Sequence, residues 1–195
     1  PVGLKLAAEY ILNICKQNNI TPNTYELYSC FPIAVQMFAE ALGLGADKKL
    51  TVTGGMSFAG GPLNNYMIHS TVKMIDEIRQ SPQKVGLVTG VSGMMTKQAF
   101  ALWAKEPLIN FTSKDVTDNA AVLEKPIPLS RLENGLGKII GYTILPKNKQ
   151  DEEKAVVYIE DMNGDRKVLI SYDKATLQNM GEEEWVGRKI KFKGK

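Results

Sequence analysis

The sequence predicts an α/β unit, a mixed and mostly parallel sheet with helices on both faces, followed by a small β-barrel-like unit. Three observations predict this. Up to about residue 107, segments with apolar residues three and four positions apart alternate with short β-branched or aromatic runs. After about residue 125 the helical period fades and short strand-like runs follow one another. Between them, around Pro107, Pro126 and Pro128 and the polar run TSKDVTDN, no period holds. The division read from this is 1–107, a linker over 108–124, and 125–195.

Leu4, Ala8, Ile11 and Cys15 share one face of a first helix, which the polar run NNITPN stops near residue 17. Tyr25 to Phe31 suits a strand. Pro32 suits the first position of a helix, where its missing N–H costs nothing, and Ala34, Met37, Phe38, Ala41 and Leu42 give that helix an inward face until GLG caps it. Leu50 to Thr53 reads as a strand and GGMSFAGGP as a loop. A helix to about Gln80 follows, with Leu63, Met67, Met74 and Ile78 in one stripe and Ile68, Val72 and Ile75 in a second beside it. A helix apolar over so much of its circumference is expected to self-associate or to leave a bare apolar patch.

Val85 to Thr89 has the composition of a central strand, GVSGM is a tight turn, and Ala99 to Trp103 is a further strand. That last connection is too short for a crossover, so its pairing is expected to be antiparallel. In the second part, Gly137 to Leu145, Ala155 to Glu160, Lys167 to Tyr172 and Lys189 to Phe192 read as strands. MNGD is a hairpin turn and a short helix lies near 174 to 180, which together suggest a domain of the OB type.

Composition excludes several function classes. The 195 residues, 44% hydrophobic and 23% charged, suit an ordinary globular chain, and no apolar run approaches the length of a bilayer span. The opening segment carries Lys5, Glu9 and Asn13 within its apolar pattern, so neither a signal peptide nor membrane association is expected, and the location expected is the cytoplasm. The first residue is Pro1, and the chain is expected to have been processed or cut from something longer. Two cysteines without CxxC spacing and a single histidine, His69, give no metal site. The formal charge is +3, from ten basic and ten acidic residues through Glu124 and fourteen against eleven beyond it. Nucleic acid is therefore not an expected partner, and the closing KIKFKGK reads as an edge strand kept soluble by lysines, with Phe192 alone a weak stacking platform.

Among candidate sites, GGMSFAGGP matters most, because backbone N–H groups between a strand and a helix can hold a phosphate or an oxyanion. It matches neither GxGxxG nor a P-loop. Cys30 in LYSCFP is the one candidate nucleophile, set against the reading of a buried structural cysteine; His69 lies within a helix and reads as a helix-face residue. Ser92 in GVSGM lacks the final glycine of a nucleophile elbow, and a strand follows it.

The succession LYSCFP, TVTGGMSFAGGP and GLVTGVSGM resembles the second half of the thiolase superfamily, the acetyl-CoA acetyltransferases, over residues 1 to about 107. More narrowly, the strings LYSCFP, TGGMSFAGGPLNNY and TKQAF resemble the thiolase-like proteins described as type 1, which carry an additional C-terminal domain that residues 125–195 would supply. The resemblance implies a coenzyme A thioester as ligand and no other cofactor. It places Tyr28, Ser29, Cys30 and Phe31, with Pro32, where those enzymes have Asn-Glu-Ala-Phe. Gly60, Gly61 and Pro62 stand for Gly-His-Pro, and Gly90 stands for the cysteine of the third motif. These residues would line the acyl end of the ligand. Glycine offers no side chain to move a proton, and the half carrying the acyl-accepting cysteine is missing, so acyl transfer is expected to be lost or altered and the chain alone inactive. The expected partners are an acyl-CoA and an N-terminal thiolase-like half. The alternative is a binding or scaffold module whose β-domain engages nucleic acid or a protein.

Overall fold

The computed structural model describes every residue except Ala46, Gly194 and Lys195, so the end of the KIKFKGK tail lies outside the described residues. It divides into two compact units, Pro1–Lys125 and Pro126–Lys195. The first contains α1 (Val2–Gln17), β1 (Thr24–Glu26), α2 (Pro32–Leu42), α3 (Met56–Ala59), a 3₁₀ turn (Leu63–Asn65), α4 (Tyr66–Gln80), β2 (Gly86–Ser92), β3 (Met94–Trp103) and α5 (Thr117–Leu123). Its sheet has the order β1-β2-β3, with β1 parallel and β3 antiparallel to β2.

The central strand β2 organises this unit, and Gly86 to Gly90 are all buried. Successive side chains of a strand point to opposite faces. Leu87 accordingly joins Leu4 and Ala8 of α1 and Phe38 and Leu42 of α2, whereas Val88 joins Met74 and Ile78 of α4 on the other side. Each large aliphatic side chain buried in this way contributes roughly 1.5–3 kcal/mol. Gly86 and Gly90 flank Val88 on the face of α4. A β-carbon at Gly86 would lie 2.3 Å from Sδ of Met74, and one at Gly90 would lie 2.4 Å from Sδ of Met67. The helix can sit this close because the strand offers it no side chain at those two points.

Helices on both faces and an antiparallel last strand match the sequence reading, but three expectations are corrected. The sheet is not mostly parallel: it has one parallel and one antiparallel pairing, because Leu50–Thr53 forms no strand. A single backbone bond links that segment to the continuation of β1, from Leu27 N–H to the Leu50 carbonyl at 2.9 Å, and its next donors go to a side chain. Of the expected stripe on α4, Met74 and Ile78 are buried and Met67 packs beside them, but the buried row continues through Ser70 and Tyr66, whereas Leu63 precedes the α-helix and is 88% exposed. Of the second stripe, Ile68 and Val72 stand bare at 63% and 52%. Finally, the stretch 108–124 is not a plain linker. Its α5 packs on α1, with Ala120 Cβ 3.6 Å from where a β-carbon of Gly3 would lie, and the Tyr10 hydroxyl bonds that of Thr112 at 3.1 Å. A seven-residue helix with one buried residue, Ala120, leaves no period to read between prolines.

The second unit holds β4 (Asn134–Leu145), β5 (Lys154–Asp161), β6 (Arg166–Ser171), α6 (Lys174–Glu182) and β7 (Lys189–Lys193). Its antiparallel sheet has the order β6-β5-β4-β7, with a bulge near Ile140. Ile139, Val157, Ile159 and Phe192 form the inner face, closed by Leu177 and Met180 of α6. The MNGD turn is tied by the Asp161 carboxylate, which accepts from the N–H groups of Asn163 and Asp165 at 2.8 and 3.1 Å. Asp173 caps α6 by accepting from Thr176 N–H.

The end of α4 is fastened to the loop before β2 by Glu77, whose carboxylate meets Lys84 at 2.7 Å and Lys73 at 3.0 Å. The hydrogen bonds from these lysines, Lys84 first, hold its carboxyl down at about 2, against an ordinary value of 4.5. A depressed folded-state value means that the contribution is present above pH 4.5 and fades as pH falls towards 2. Urea midpoints of the wild type and Glu77→Gln are therefore expected to differ at pH 7 and to converge near pH 2.

Candidate functional site

The three sequence segments that single out a site meet where β1 runs into α2. Tyr28 N–H donates to Thr89 Oγ1 at 2.9 Å, which carries the strand's direction one step past its last ladder pair. Phe31 is extended and Pro32 opens α2, so Tyr28, Ser29 and Cys30 form the short turn between sheet and helix. Tyr66, the first residue of α4, faces them. Its hydroxyl lies 2.6 Å from Ser29 Oγ, and its ring meets that of Tyr28 edge-on, with centroids 4.7 Å apart. Burial first, and then the Cys30 side chain beside it, push the Tyr28 phenol up to about 12, so it remains a protonated donor throughout the physiological range.

The glycine loop reaches this cluster through Gly55. At φ +77 its backbone is in the region that suits glycine, and a β-carbon there would lie 3.0 Å from Ser29 Oγ. The loop is held by Glu26. That carboxylate is fully buried and accepts from Val52 N–H at 2.6 Å, Thr53 N–H at 2.9 Å, Thr53 Oγ1 at 2.8 Å and, from α4, Ser70 Oγ at 3.4 Å. One side chain thereby ties β1, the 52–53 backbone and α4 together. The same loop walls a hollow of about 510 Å³ bordered by Lys48, Lys49, Phe58 and the 50–54 backbone.

The residues expected at the site fall into three groups. Tyr28, Ser29 and Cys30 are half-buried and in the cluster; Phe31 and Pro32 are at its edge and exposed, Phe31 at 63%. Gly60, Gly61 and Pro62 lie on the outer side of the loop. Nothing lies within 4 Å of a β-carbon position at Gly60, and at Gly61 only the Met56 methyl does. Gly90 is buried beneath Met67. Cys30 is half-buried, and it is Cys15 that is the buried thiol, raised by that burial. His69 is half-buried on α4. Among the described residues there is no cluster of three or more His, Cys, Asp or Glu side chains suited to a metal.

Sequence reasoning missed Tyr66, Thr89 and Glu26. Each leaves a faint trace: Glu26 is a lone acid in the aromatic run YELY, Thr89 ends an apolar strand, and Tyr66 shares a four-residue period with Ser70 and Met74.

These two helical layers around a mixed sheet, with a turn-and-glycine-loop cluster at one end, belong to a chain whose fold is like that of a thiolase-like protein of known structure. No family model and no curated protein matches the chain. Among solved structures it is similar to the crystal structure of a monomeric SCP2-thiolase like protein type 1 from Mycobacterium smegmatis, with a TM-score of 0.82 and 23% identity. The match covers 97% of this chain and 43% of that one, so the chain spans less than half of the neighbour's length. Among the described residues no helix is long and apolar enough to cross a membrane.

Removing the Glu26 carboxylate leaves two backbone N–H groups and two hydroxyls without an acceptor, each buried orphan costing about 1–3 kcal/mol. Glu26→Ala is expected to lower the stability of the first unit by roughly 3 kcal/mol or more. Hydrogen exchange should show faster exchange at Val52 and Thr53 while the amides of β4 and β5 keep their protection.

Proposed function

We propose that this chain is the C-terminal portion of a thiolase-like protein that binds a coenzyme A thioester, with acyl transfer lost or altered. The observation that carries this reading is the cluster of Tyr28, Ser29, Cys30 and Tyr66 under Gly55, at the end of a sheet whose fold is that of an SCP2-thiolase-like protein. Its protonated Tyr28 phenol is a donor suited to a thioester carbonyl. The two positions at which the resemblance calls for a histidine and a cysteine are Gly61 and Gly90, which supply no acid, base or nucleophile. Cys30 is left as the one candidate nucleophile. Lys49, on the hollow beside the loop, offers a cation to the phosphates at the far end of coenzyme A, whereas its neighbour Lys48 is engaged with Asp47 at 3.3 Å.

The partner in this reading is an N-terminal thiolase-like half that covers the bare Ile68 and Val72 of α4; without it the chain associates with itself through that face. The 43% coverage of the neighbour supports a partner of that size. Two free cysteines suit a reducing compartment, and we place the protein in the cytoplasm.

Calorimetry with acetyl-CoA and with a truncated acetyl thioester lacking the nucleotide tests the binding. Both are expected to bind, Tyr28→Phe to weaken both about 2- to 10-fold through one lost hydrogen bond, and Lys49→Glu to weaken only the full coenzyme. A coupled condensation assay of the purified chain is expected to show no turnover. Turnover that disappears in Cys30→Ala would overturn the loss of transfer and make Cys30 the nucleophile; heat-silent titrations with both ligands would overturn the thioester reading itself.

A further inference from the structure

The second unit turns one sheet face to α6 and leaves the other open, and register shows what the open face carries. Phe192 and Ile190 of β7 pack inward, so the residues between them point outward. On this outer side Lys193 stands opposite Asn134, Lys191 opposite Leu136 and Lys189 opposite Lys138. All four lysines are exposed. Along β7 they repeat every two residues, about 6.6–6.8 Å, and Lys138 lies one strand away, about 4.8 Å across the ladder. Among the described residues none of the four is in an ion pair. Glu160, opposite Lys138 on β5, is taken by Arg166 at 2.6 Å.

Edge-strand lysines guard a sheet against unwanted pairing, which accounts for the three on β7. It does not account for Lys138. That residue is on β4, between β5 and β7, and it directly faces Lys189, an arrangement of like charges that destabilises the sheet. A bound anion would offset this repulsion. Next to the lysines on the same face is Tyr158 of β5, 48% exposed. Its partner across β4 is Gly141, which presents no side chain to the ring, and its partner on β6 is Val168. The aromatic residue within the lysine-rich tail, Phe192, is by contrast part of the core.

We infer that this outer face binds single-stranded nucleic acid, with phosphates along Lys138, Lys189, Lys191 and Lys193 and a base stacked on Tyr158. A file of cations spaced along an extended strand, beside an open ring, suits a chain of phosphates with splayed bases. The inference does not rest on the thioester reading.

The test is fluorescence anisotropy of the full chain with a labelled oligothymidine of about fifteen nucleotides, near the upper site size of single-strand-binding sheets. Between about 50 and 200 mM salt, four phosphate contacts predict a slope of log K against log salt of about −2.8. The double variant Lys138→Gln/Lys189→Gln is expected to halve this slope, whereas Lys138→Arg/Lys189→Arg keeps it. Tyr158→Ala should weaken binding about tenfold or more, as for one lost base stack, and leave the slope unchanged. Thermal melts of the variants confirm folding. No binding at the lowest salt, or binding indifferent to the lysine and tyrosine changes, overturns the proposal. So does a lysine-dependent affinity found only for phosphatidylserine vesicles or for an acidic peptide.

Discussion

The first unit depends on a buried carboxylate. Among the described residues no ion pair involves Glu26, and a polar group in the interior is costly unless hydrogen bonds replace its hydration. Here the replacements come from the chain itself: two backbone N–H groups, a threonine hydroxyl and a serine hydroxyl converge on its two oxygens. This requirement fixes geometry in several places at once. Val52 and Thr53 must present their donors to β1, so the Gly54–Gly55 turn begins at a set point. Ser70 must face the same carboxylate, so the rotation of α4 is set and Tyr66, one turn earlier, comes to lie over Tyr28 and Ser29. The hydroxyl cluster is thus a product of a polar interaction beneath it rather than of apolar packing alone.

That dependence also explains what could be read from the chain. The helix opening at Pro32, the buried strand from Val85, and the four strands with one helix of the second part each declare themselves locally, by a fixed φ, a β-branched run or an alternation. Leu50–Thr53 has the composition of a strand, but its donors are consumed by Glu26, and competition between a side chain and a ladder is not visible in local pattern. In α4 the expected stripe holds at Met74 and Ile78, with Met67 packed beside them, but towards the N-terminus the buried row runs through Ser70 and Tyr66 and not through Leu63, because the serine and the tyrosine have defined partners and Leu63 precedes the helix. Gly55 and Gly61 are equivalent to a reader of GGMSFAGGP, yet only Gly55 packs on Ser29. The part of the site that sequence named and the structure keeps together is the contiguous Tyr28-Ser29-Cys30; the part it missed is remote along the chain.

The second unit separates its chemistry by parity along each strand. In β7, Ile190 and Phe192 enter the core while the lysines between and around them stay outside. A tail that reads as a mixture of basic and apolar residues is therefore two surfaces interleaved. Reading it as one surface assigns Phe192 to the wrong side, and it hides Lys138, which belongs to the lysines through register and not through sequence proximity.

The close seat of α4 on β2 bears on which substitutions position 90 can accept. With glycine at position 90, Met67 has moved into the volume that any side chain there would need: not only its terminal methyl at 2.6 Å from the β-carbon position but its sulfur at 2.4 Å and its Cγ at 3.2 Å. A mutation to cysteine at this position would meet a filled space unless Met67 turned aside or shrank, or the helix retreated. Shrinking Met67 alone leaves a hole beside Val88. A side chain at position 90 and the present seat of Met67 thus exclude one another, and a change at one calls for a matching change at the other.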